Sequence, residues 1–527
     1  MNELLVGHQQ LRYNSLATAI PEGYARGAGG AAMTSVVMRT CVETARGQSL
    51  AIAADSLDSI LLDNAVNGLR AVAPEMSAGT PLAAWQQSAI YFFGIITPVV
   101  AVLFMLGHAD WLAVALTLPF VAIILLRWAA LWRLIWPNRH EKPEPAALLD
   151  DALPTYSIVI PLYQEAAVAP ALVQAIAELD YPPDKLDVIF VTEQNDELTR
   201  TALAYAKLRP HMRILTVPHG LPKTKPRACN YALQRATGDC VVIYDAEDVP
   251  EPGQLRKAAA RFAVGGPKLV CLQARLSIYN PRDSFLTKQF TLEYAILFEA
   301  ILPALVRLGL PIMLGGTSNH FRRSALVAAG AWDAFNVTED ADLGVRLARL
   351  GLSCEMLDSD TWEEAPRTAR AWMGQRTRWL KGWMQTYLVH MRSPRQLLSD
   401  LGAWRFFGLQ VMLAGTILSA LIHPWFYTAA LLCLFTGAEF IPGGGVLGLM
   451  CWFNFVAGHV IGVLLGFLSA WRSDGRIPLS AAIDLPVYWL AISAASYRAI
   501  WDLYKRPFYW EKTAHSARRV TPSRGRA

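Results

Sequence analysis

The chain has 527 residues, of which 53% are hydrophobic and 17% are charged, and its mean hydropathy is +0.27. A charged share below the roughly 25% of soluble domains excludes disordered, collagen-like and coiled-coil chains and favours an integral membrane protein of about three structural units. The net charge of +5 is too small to indicate a nucleic-acid partner, and seven scattered cysteines without a C-x-x-C pair indicate reduced thiols.

Residues 1–83 form the first unit, predicted to be a cytosolic N-terminal extension because they lack a membrane span and a signal peptide. The next stretch, 84–137, carries only Asp110, Arg127 and Arg133 as formal charges. Its length predicts two transmembrane helices, near 88–107 and 112–135. The basic residues at the end of the second helix place that end in the cytosol by the positive-inside rule.

Residues 138–402 change character, because short apolar runs alternate with helical patterns. We predict strands at 157–160, 186–191, 241–244 and 269–272 and a helix at 167–179. Strands that alternate with helices predict an α/β domain with a mostly parallel, Rossmann-like sheet.

Residues 403–504 are again apolar and predict about four transmembrane or interfacial helices, near 406–422, 424–440, 446–470 and 479–501. His423-Pro424 and the glycines after Pro442 are the expected breaks. Six spans in all return the tail, 505–527, to the cytosol, but they leave Arg472 and Arg476 outside, against the positive-inside rule. The last helix therefore either spans the membrane or lies in its interface.

Three polar segments of the 138–402 region could carry chemistry. Asp245, Glu247 and Asp248 follow an apolar strand, where carboxylates can bind Mg²⁺ or Mn²⁺ and bridge it to a diphosphate; a solvated acidic turn is the alternative. Glu339 and Asp340 follow Thr338 ahead of a helix, and they are interpreted either as a general base or as helix-capping residues.

The third segment, Gln375 to Trp379, places Gln375, Arg378 and Trp379 on one helix face. This face could bind a sugar ring, hydroxyls and phosphate, or it could be an interfacial belt beside the membrane. Lys225, ahead of Asn230, could neutralise a leaving diphosphate, with a solvated basic loop as the alternative. Tyr163 and Glu165, after the first strand, could hold a nucleotide base.

Together, the order Tyr163-x-Glu165, Lys225…Asn230, Asp245-x-Glu247, Thr338-Glu339-Asp340 and Gln375-x-x-Arg378-Trp379 resembles the processive family 2 glycosyltransferases, which include cellulose, hyaluronan and curdlan-type synthases. The resemblance covers 154–392 closely and extends to about 84–515. The segments 314–322 and 362–366 are similar to a bacterial exopolysaccharide synthase branch that includes the biofilm synthase XagB and phage N4 adsorption protein B.

This resemblance implies a GT-A fold and assigns roles to individual residues. Asp340, with Glu339, matches the catalytic base, and Asp245, Glu247 and Asp248 match the metal site. The remaining roles fall on nucleotide-sugar residues (Tyr163, Glu165, Glu193, Asp196, Lys225 and Asn230), acceptor or diphosphate residues (Gln375, Arg378 and Trp379) and a gating motif (Lys512 and Thr513). Residues 69–78 faintly resemble the end of an N-terminal regulatory module.

The sequence thus predicts a multi-pass enzyme of the bacterial inner membrane that extends a β-linked exopolysaccharide from a UDP-sugar, with UDP-glucose as the expected donor, by inversion. Its expected partners are the growing polysaccharide, the lipid bilayer and periplasmic or outer-membrane export proteins. Two alternatives remain: transfer of a single sugar to a lipid carrier, and a non-catalytic membrane receptor or scaffold. A transporter is disfavoured because the chain has no internal repeats.

Overall fold

The computed structural model describes residues 50–105, 110–136, 145–437, 445–473 and 475–509. Its strands are β1 (Tyr156–Leu162), β2 (Leu186–Glu193), β3 (Met212–Val217), β4 (Cys240–Ile243), β5 (Val249–Pro250), β6 (Leu269–Ile278), β7 (Asn319–Arg322) and β8 (Ser353–Glu363). Its α-helices are α1 (Leu50–Val72), α2 (Ala84–Met105), α3 (Asp110–Ile135), α4 (Ala169–Ala177), α5 (Glu197–Tyr205), α6 (Lys225–Leu233), α7 (Gln254–Val264), α8 (Phe285–Ala295), α9 (Leu302–Arg307), α10 (Arg323–Ala328), α11 (Glu339–Arg349), α12 (Ala369–His390), α13 (Pro394–Leu409), α14 (Gly415–Thr436), α15 (Gly445–Arg472) and α16 (Ser480–Lys505).

The strands form one eight-stranded sheet in the order β3-β2-β1-β4-β7-β6-β8-β5. The first four are parallel neighbours, β7 runs antiparallel between β4 and β6, and β8 is parallel to β6. The four predicted strands are confirmed as β1, β2, β4 and β6, and the predicted helix at 167–179 is confirmed as α4. The α/β GT-A-like architecture is therefore present, with antiparallel strands added at β7 and β5.

Helices cover both faces of this sheet. Leu172 of α4 and Leu255 of α7 belong to the apolar core on one face, while Tyr231 of α6 and Leu343 of α11 belong to the core on the other. The apolar run of β1 is explained by this double cover, because both of its faces are buried. The carboxyl ends of β1, β2 and β4 point to the same edge of the sheet, where the loops that follow them meet.

The two helices predicted between 84 and 137 are present as α2 and α3. Among the described residues, three helical segments are long and apolar enough to cross a membrane, namely Phe285–Arg307, Pro394–Thr436 and Gly448–Arg472. The first was not predicted. It contains α8, a π-helical turn (Ile296–Ile301) and α9, and Ala300 and Ala304 along it pack against α3 and α15.

The predicted break at His423-Pro424 is wrong, because α14 continues through Pro424 from Gly415 to Thr436. A proline removes one backbone donor, but a membrane helix tolerates it where a neighbouring group satisfies the freed backbone. Pro424 leaves the Ala420 carbonyl without its helical donor, and the Tyr497 hydroxyl of α16 donates to the neighbouring Leu421 carbonyl at 2.5 Å. The described part of 403–504 thus contains three long helices, α14, α15 and α16, after a π-helical turn (Gln410–Ala414). The second expected break, at 442–445, lies mainly outside the described residues.

Both ends of α16 contact the α/β domain. Near its start, Asp484 forms an ion pair with Lys288 of α8 at 2.6 Å. Just beyond its end, the Tyr509 carbonyl accepts a hydrogen bond from Lys381 of α12 at 2.7 Å. Because both ends of α16 contact the α/β domain, this helix lies along the surface of that domain.

The described part of the N-terminal extension packs on the α/β domain. The α1 residue Asp58 accepts a hydrogen bond from the Tyr231 hydroxyl of α6 at 2.9 Å. The segment after α1 is fixed by Asp333, which accepts from the Ser77 hydroxyl at 3.0 Å and from the Ala78 amide at 2.5 Å. Residues 1–49 lie outside the described part of the chain.

Candidate active site

A cavity of about 570 Å³ opens at the carboxyl edge of the sheet and continues among the apolar helices that follow and precede the α/β domain. Its α/β-domain end is lined by the polar residues that the sequence singled out, namely Tyr163, Glu165, Glu193, Lys225, Asp245, Glu247, Glu339, Asp340, Gln375, Arg378 and Trp379. Its other end is lined by residues of α3, α14, α15 and α16. The volume lies within the usual range for small-molecule pockets.

The acidic segment follows β4 directly, and its side chains point in two directions. Asp245 and Glu247 line the cavity, and Asp245 forms an ion pair with Lys225 at the start of α6. Asp248 turns inward, where it accepts hydrogen bonds from the Thr317 hydroxyl and from the Asp245 amide at 2.7 Å. Two of the three predicted metal residues therefore face the cavity.

Glu363 is a fourth carboxylate at this place that the sequence analysis did not assign to the site. It ends β8 and lines the same cavity. Burial, together with the charges of Asp248, Glu247 and Asp245, raises the pKa of Glu363 well above its usual range. Burial and the same acidic neighbours raise the pKa of Asp248. Glu363 follows the mostly polar stretch 358–362 rather than an apolar run, so the signal that pointed to Asp245 is absent here.

No group of three or more carboxylate, imidazole or thiol side chains among the described residues forms a ready metal cage. Mg²⁺ does not require one, since it usually takes one or two carboxylates together with substrate phosphates and water. Asp245 and Glu247 supply such oxygen donors from one strand end, and their charges help to raise the pKa of the buried Glu363, as expected at a site of high negative potential. The residues present therefore fit a divalent cation that is completed by a diphosphate.

Glu339 and Asp340 form the first turn of α11 and line the cavity. Burial raises the pKa of both carboxyls, and the charge of Asp340 adds to the effect on Glu339, whose pKa is about 7. Lys225 and Arg378 oppose this rise. A β-carbon added at Gly316 would lie 3.3 Å from the Asp340 carboxylate. Asp340 therefore sits against a bare backbone, with room for a substrate beside it.

The helix α12 presents the predicted acceptor face. Gln375, Arg378 and Trp379 all line the cavity, and the buried Gln375 Oε1 has no hydrogen-bond partner among the described residues. The Trp379 ring stacks on Tyr294, with centroids 6.1 Å apart. The flat indole of Trp379 can stack on a sugar ring, and the Gln375 Oε1 can accept a hydrogen bond from a sugar hydroxyl.

Arg376 was missed, although it stands between two predicted residues. Its Nη1 donates to Glu293 of α8 at 2.8 Å, and Tyr488 of α16 donates to the same carboxylate at 2.8 Å. The Arg376 guanidinium also lies 4.8 Å from the centroid of the Trp379 ring. This ion pair fixes the indole, and the sequence could not show it because Glu293 is 83 residues away.

The remaining predicted nucleotide-sugar residues take different positions. Tyr163 and Glu165 line the cavity, and so does Glu193, although its carboxylate is paired with the buried Arg227, with one oxygen 2.5 Å from Nη2. Asp196 caps α5 through the Thr199 amide, outside the cavity wall. Asn230 also lies outside it, with its amide donating to the Ala65 and Trp332 carbonyls at 2.9 and 2.7 Å. Lys512 and Thr513 lie outside the described residues.

This arrangement of a strand-end acidic pair, a lysine and a second acidic pair on a helix has a counterpart among known families. Residues 154–382 match the family described as "Glycosyltransferase like family 2". These residues form a glycosyltransferase domain that is similar to those of family 2. The matched residues run from the segment before β1 into α12 and so contain the predicted site residues from Tyr163 to Trp379, but not the cavity residues on α3, α14, α15 and α16.

Several named proteins are similar to this chain. The β-monoglucosyldiacylglycerol synthase of Synechocystis is 27% identical over 397 residues, 71% of this chain and 78% of that protein. Cellulose synthase 2 of Novacetimonas hansenii is 27% identical over 65% of this chain and 21% of its own length. A solved mannosyltransferase from Pyrobaculum calidifontis, in complex with GDP-mannose and Mn²⁺, covers 75% of this chain and 99% of its own, with a TM-score of 0.46 and 22% identity. For three further relatives the chain spans only 52–55% of their length.

Proposed function

We propose that this protein is an inverting membrane glycosyltransferase that extends a β-linked polysaccharide from a UDP-sugar, with UDP-glucose as the first donor to test, and passes the product between its membrane helices. The observation that carries the proposal is the continuity of the cavity, which joins Asp245 and Asp340 at one end to α14 and α15 at the other. A product sugar formed beside Trp379 would have a path into the helices. The exopolysaccharide synthase branch named from the sequence fits this use.

The chemistry assigned to the site is a single displacement. Asp340 takes the proton from the acceptor hydroxyl, and the acceptor oxygen attacks the anomeric carbon opposite the diphosphate. The bond from that carbon to the diphosphate oxygen breaks, and UDP leaves with the electron pair, so the configuration inverts. Lys225 and Arg378 hold the departing negative charge. A divalent cation held by Asp245 and Glu247 would add Lewis-acid stabilisation of the same charge.

A second candidate is transfer of one sugar to a membrane lipid. The relative that matches most of both chains is named a β-monoglucosyldiacylglycerol synthase, and the cavity reaches the membrane helices in either case. Both candidates use the same donor chemistry and differ in the acceptor. The apolar residues of the cavity, such as Ile123 and Leu465, could contact a lipid chain as well as the carbon face of a sugar.

The experiment that separates the candidates is a product analysis of the purified chain in lipid nanodiscs. It would be incubated with a panel of radiolabelled UDP- and GDP-sugars, and the products would be separated by solvent extraction and sizing. We expect a water-phase polymer of many sugars. A product that enters the organic phase with one sugar would establish the lipid candidate instead, and absence of incorporation from every donor would contradict both.

Replacing Trp379 with alanine should shorten the product while UDP binding is retained. The indole faces the cavity on α12, and loss of a stacking surface is typically worth about 1 kcal/mol, roughly a fivefold loss of acceptor engagement per step. Product length by gel filtration and UDP affinity by calorimetry would be compared for wild type and variant. Trp404, an exposed tryptophan on α13, is a matched control, and equal shortening in Trp404→Ala would contradict the assignment.

The topology that we propose has four spans, α2, α3, α14 and α15, with α16 on the cytosolic face. The apolar segment Phe285–Arg307 is not counted as a span, because it connects β6 to β7 of the same sheet. Merging the two predicted spans into α14 moves Arg472 and Arg476 to the cytosolic side, in agreement with the positive-inside rule. Arg476 contacts the α/β domain there, since its guanidinium lies 5.2 Å from the centroid of the Trp362 ring. The contacts of α16 with Lys288 and Lys381 agree with this placement.

Single cysteines in a cysteine-free background would test this topology with a membrane-impermeant maleimide. We expect Thr436→Cys, at the end of α14, to be labelled from outside intact spheroplasts. Asp151→Cys and Ser480→Cys, both at exposed positions, should be labelled only after permeabilisation. Labelling of Ser480→Cys from outside would restore the six-span arrangement.

A further inference from the structure

The membrane-helix end of the cavity is lined by an arginine that the glycosyl transfer does not use. Arg127 of α3 lines this end, and its guanidinium lies 5.6 Å from the centroid of the Trp489 ring of α16. Its Nη1 is 3.5 Å from the Gly458 carbonyl. Within the described part of the chain, no carboxylate forms an ion pair with it. A charged side chain among membrane helices is costly unless it meets a counter-charge or a polar ligand.

His423 lies beside this arginine with an unused polar atom. Its ring centroid is 5.2 Å from that of Trp489, and its buried Nε2 has no hydrogen-bond partner among the described residues. The neighbouring His459 differs, because it is hydrogen-bonded to the Tyr427 hydroxyl at 2.8 Å and to the Phe455 carbonyl at 2.6 Å. One imidazole is thus held by the protein, and the other leaves a nitrogen for a ligand.

Polar residues connect this place to the catalytic end of the cavity. Thr416, Ser419 and His423 are spaced three and four residues apart on α14, so they share one face, and all three line the cavity. The outer residues of the same helix, such as Leu434 and Phe435, are apolar and exposed. A polar face inside an apolar helix is suited to a chain with many hydroxyls, which must keep hydrogen bonds when it leaves water.

We infer that Arg127, His423 and Trp489 form a subsite for an acidic sugar of the growing chain, with Arg127 binding its carboxylate. The inference rests on the proposed polymerisation and adds that the acceptor or product is anionic. A neutral sugar could stack on Trp489, but it would leave the arginine charge uncompensated. A carboxylate matches the fork of donors that a guanidinium presents. The polar face of α14 favours this ligand over a lipid phosphate, whose acyl chains need no hydroxyl partners.

The test measures equilibrium binding to the full chain in nanodiscs made of zwitterionic lipid, in the presence of UDP. The probes are a β-linked glucose tetrasaccharide and the matched tetrasaccharide in which one glucose is replaced by glucuronic acid. We expect the wild type to bind the acidic probe about 10-fold more tightly or better, the usual gain from a hydrogen bond to a charged group. Arg127→Gln should lose this preference and leave the affinity for the neutral probe unchanged.

Arg127→Lys keeps the charge and should retain most of the preference. The matched control is Arg133→Gln on the same helix, since Arg133 lies away from the cavity wall and donates to the Glu299 carbonyl at 3.2 Å. The melting temperature of each variant would show that it is folded. Equal affinity of the wild type for both probes, or equal losses on both probes in Arg127→Gln, would overturn the inference.

Two further readouts separate this inference from the proposed function and from a lipid ligand. Extension of each probe by radiolabelled donor is measured in parallel. Preferential binding of the acidic probe without extension supports the acidic subsite and contradicts polymerisation. Extension of both probes without a binding preference supports polymerisation and contradicts the acidic subsite. If the acidic probe shows no preference, and Arg127→Gln changes turnover only in nanodiscs that contain phosphatidylglycerol, the ligand is a lipid phosphate and the inference is overturned.

Discussion

Asp340→Asn should lower kcat by about 10²–10⁴-fold while the affinity for the donor changes little. Asparagine keeps the size and polarity of the side chain at the start of α11, but it cannot take a proton from the acceptor hydroxyl. A purely structural role as a helix-capping residue would cost about 1 kcal/mol, roughly fivefold in an equilibrium constant, which is much smaller. UDP release with saturating donor measures kcat, and calorimetry with UDP measures binding.

Two further variants make this result interpretable. Asp184→Asn changes an exposed carboxylate on the 3₁₀ turn before β2 and should leave kcat unchanged. Glu339→Gln removes the neighbouring carboxyl that lines the same cavity. If Asp340→Asn keeps more than about a tenth of the wild-type rate and Glu339→Gln does not, the base is Glu339.

The pH dependence of kcat follows from the same residue. Burial raises the pKa of Asp340, and a base works only when it is deprotonated. Activity should therefore be complete above the raised pKa and fall tenfold per pH unit below it, at a pH above the ordinary aspartate value of about 4. The residual activity of Asp340→Asn should no longer show this fall of kcat at low pH. A wild-type kcat that stays level down to about pH 4 would contradict the role.

Removal of divalent cations should abolish turnover, and Asp245→Ala should do the same permanently. Asp245 and Glu247 are carboxylates at the end of β4 that face the cavity, and metal stabilisation of a leaving diphosphate is worth several kcal/mol, or at least about 10²-fold in rate. We expect added Mg²⁺ or Mn²⁺ to restore wild-type turnover after EDTA treatment and to leave Asp245→Ala inactive.

The variant needs a check on folding, because Asp245 also pairs with Lys225. Asp245→Asn keeps a hydrogen-bond acceptor for that lysine and should remain folded, so its melting temperature and its loss of activity can be compared directly. Full wild-type turnover in excess EDTA would contradict metal dependence and leave Lys225 and Arg378 as the stabilisers of the leaving group.

The sheet could be predicted from sequence because its strands are short apolar runs that end at polar residues. Val159 and Val241 are fully buried. The helices that cover both faces of the sheet explain why these runs are continuously apolar. Asp245 could be assigned to the site because it follows such a run, whereas Asp340 was joined to it only through the motif order that the family resemblance supplies. Glu363, which ends a half-buried strand, follows a weaker pattern and was missed.

Two features of the structure depend on contacts between distant parts of the chain, which a local sequence pattern does not contain. Pro424 predicts a helix break because a proline disrupts helices in water, whereas α14 continues through it beside α16, whose Tyr497 donates to the nearby Leu421 carbonyl. Asn230 is predicted to bind the nucleotide sugar, and its amide donates to the carbonyl of Ala65, which lies 165 residues earlier on α1. Both partners are supplied by helices outside the matched 154–382 segment.

The attachment of α16 at both of its ends bears on how the catalytic domain can be isolated. The Trp372 indole donates to the Tyr488 hydroxyl at 3.1 Å, and Gln289 donates to the Ala481 carbonyl at 3.0 Å. The domain therefore buries its own polar groups against α16, a helix that begins far beyond the last strand of the domain in the chain. A truncated soluble fragment that stops after α12 would leave these groups without partners and an apolar face open to water. Expression screens for this enzyme should therefore retain the chain through Tyr509 and use detergent or nanodiscs from the start.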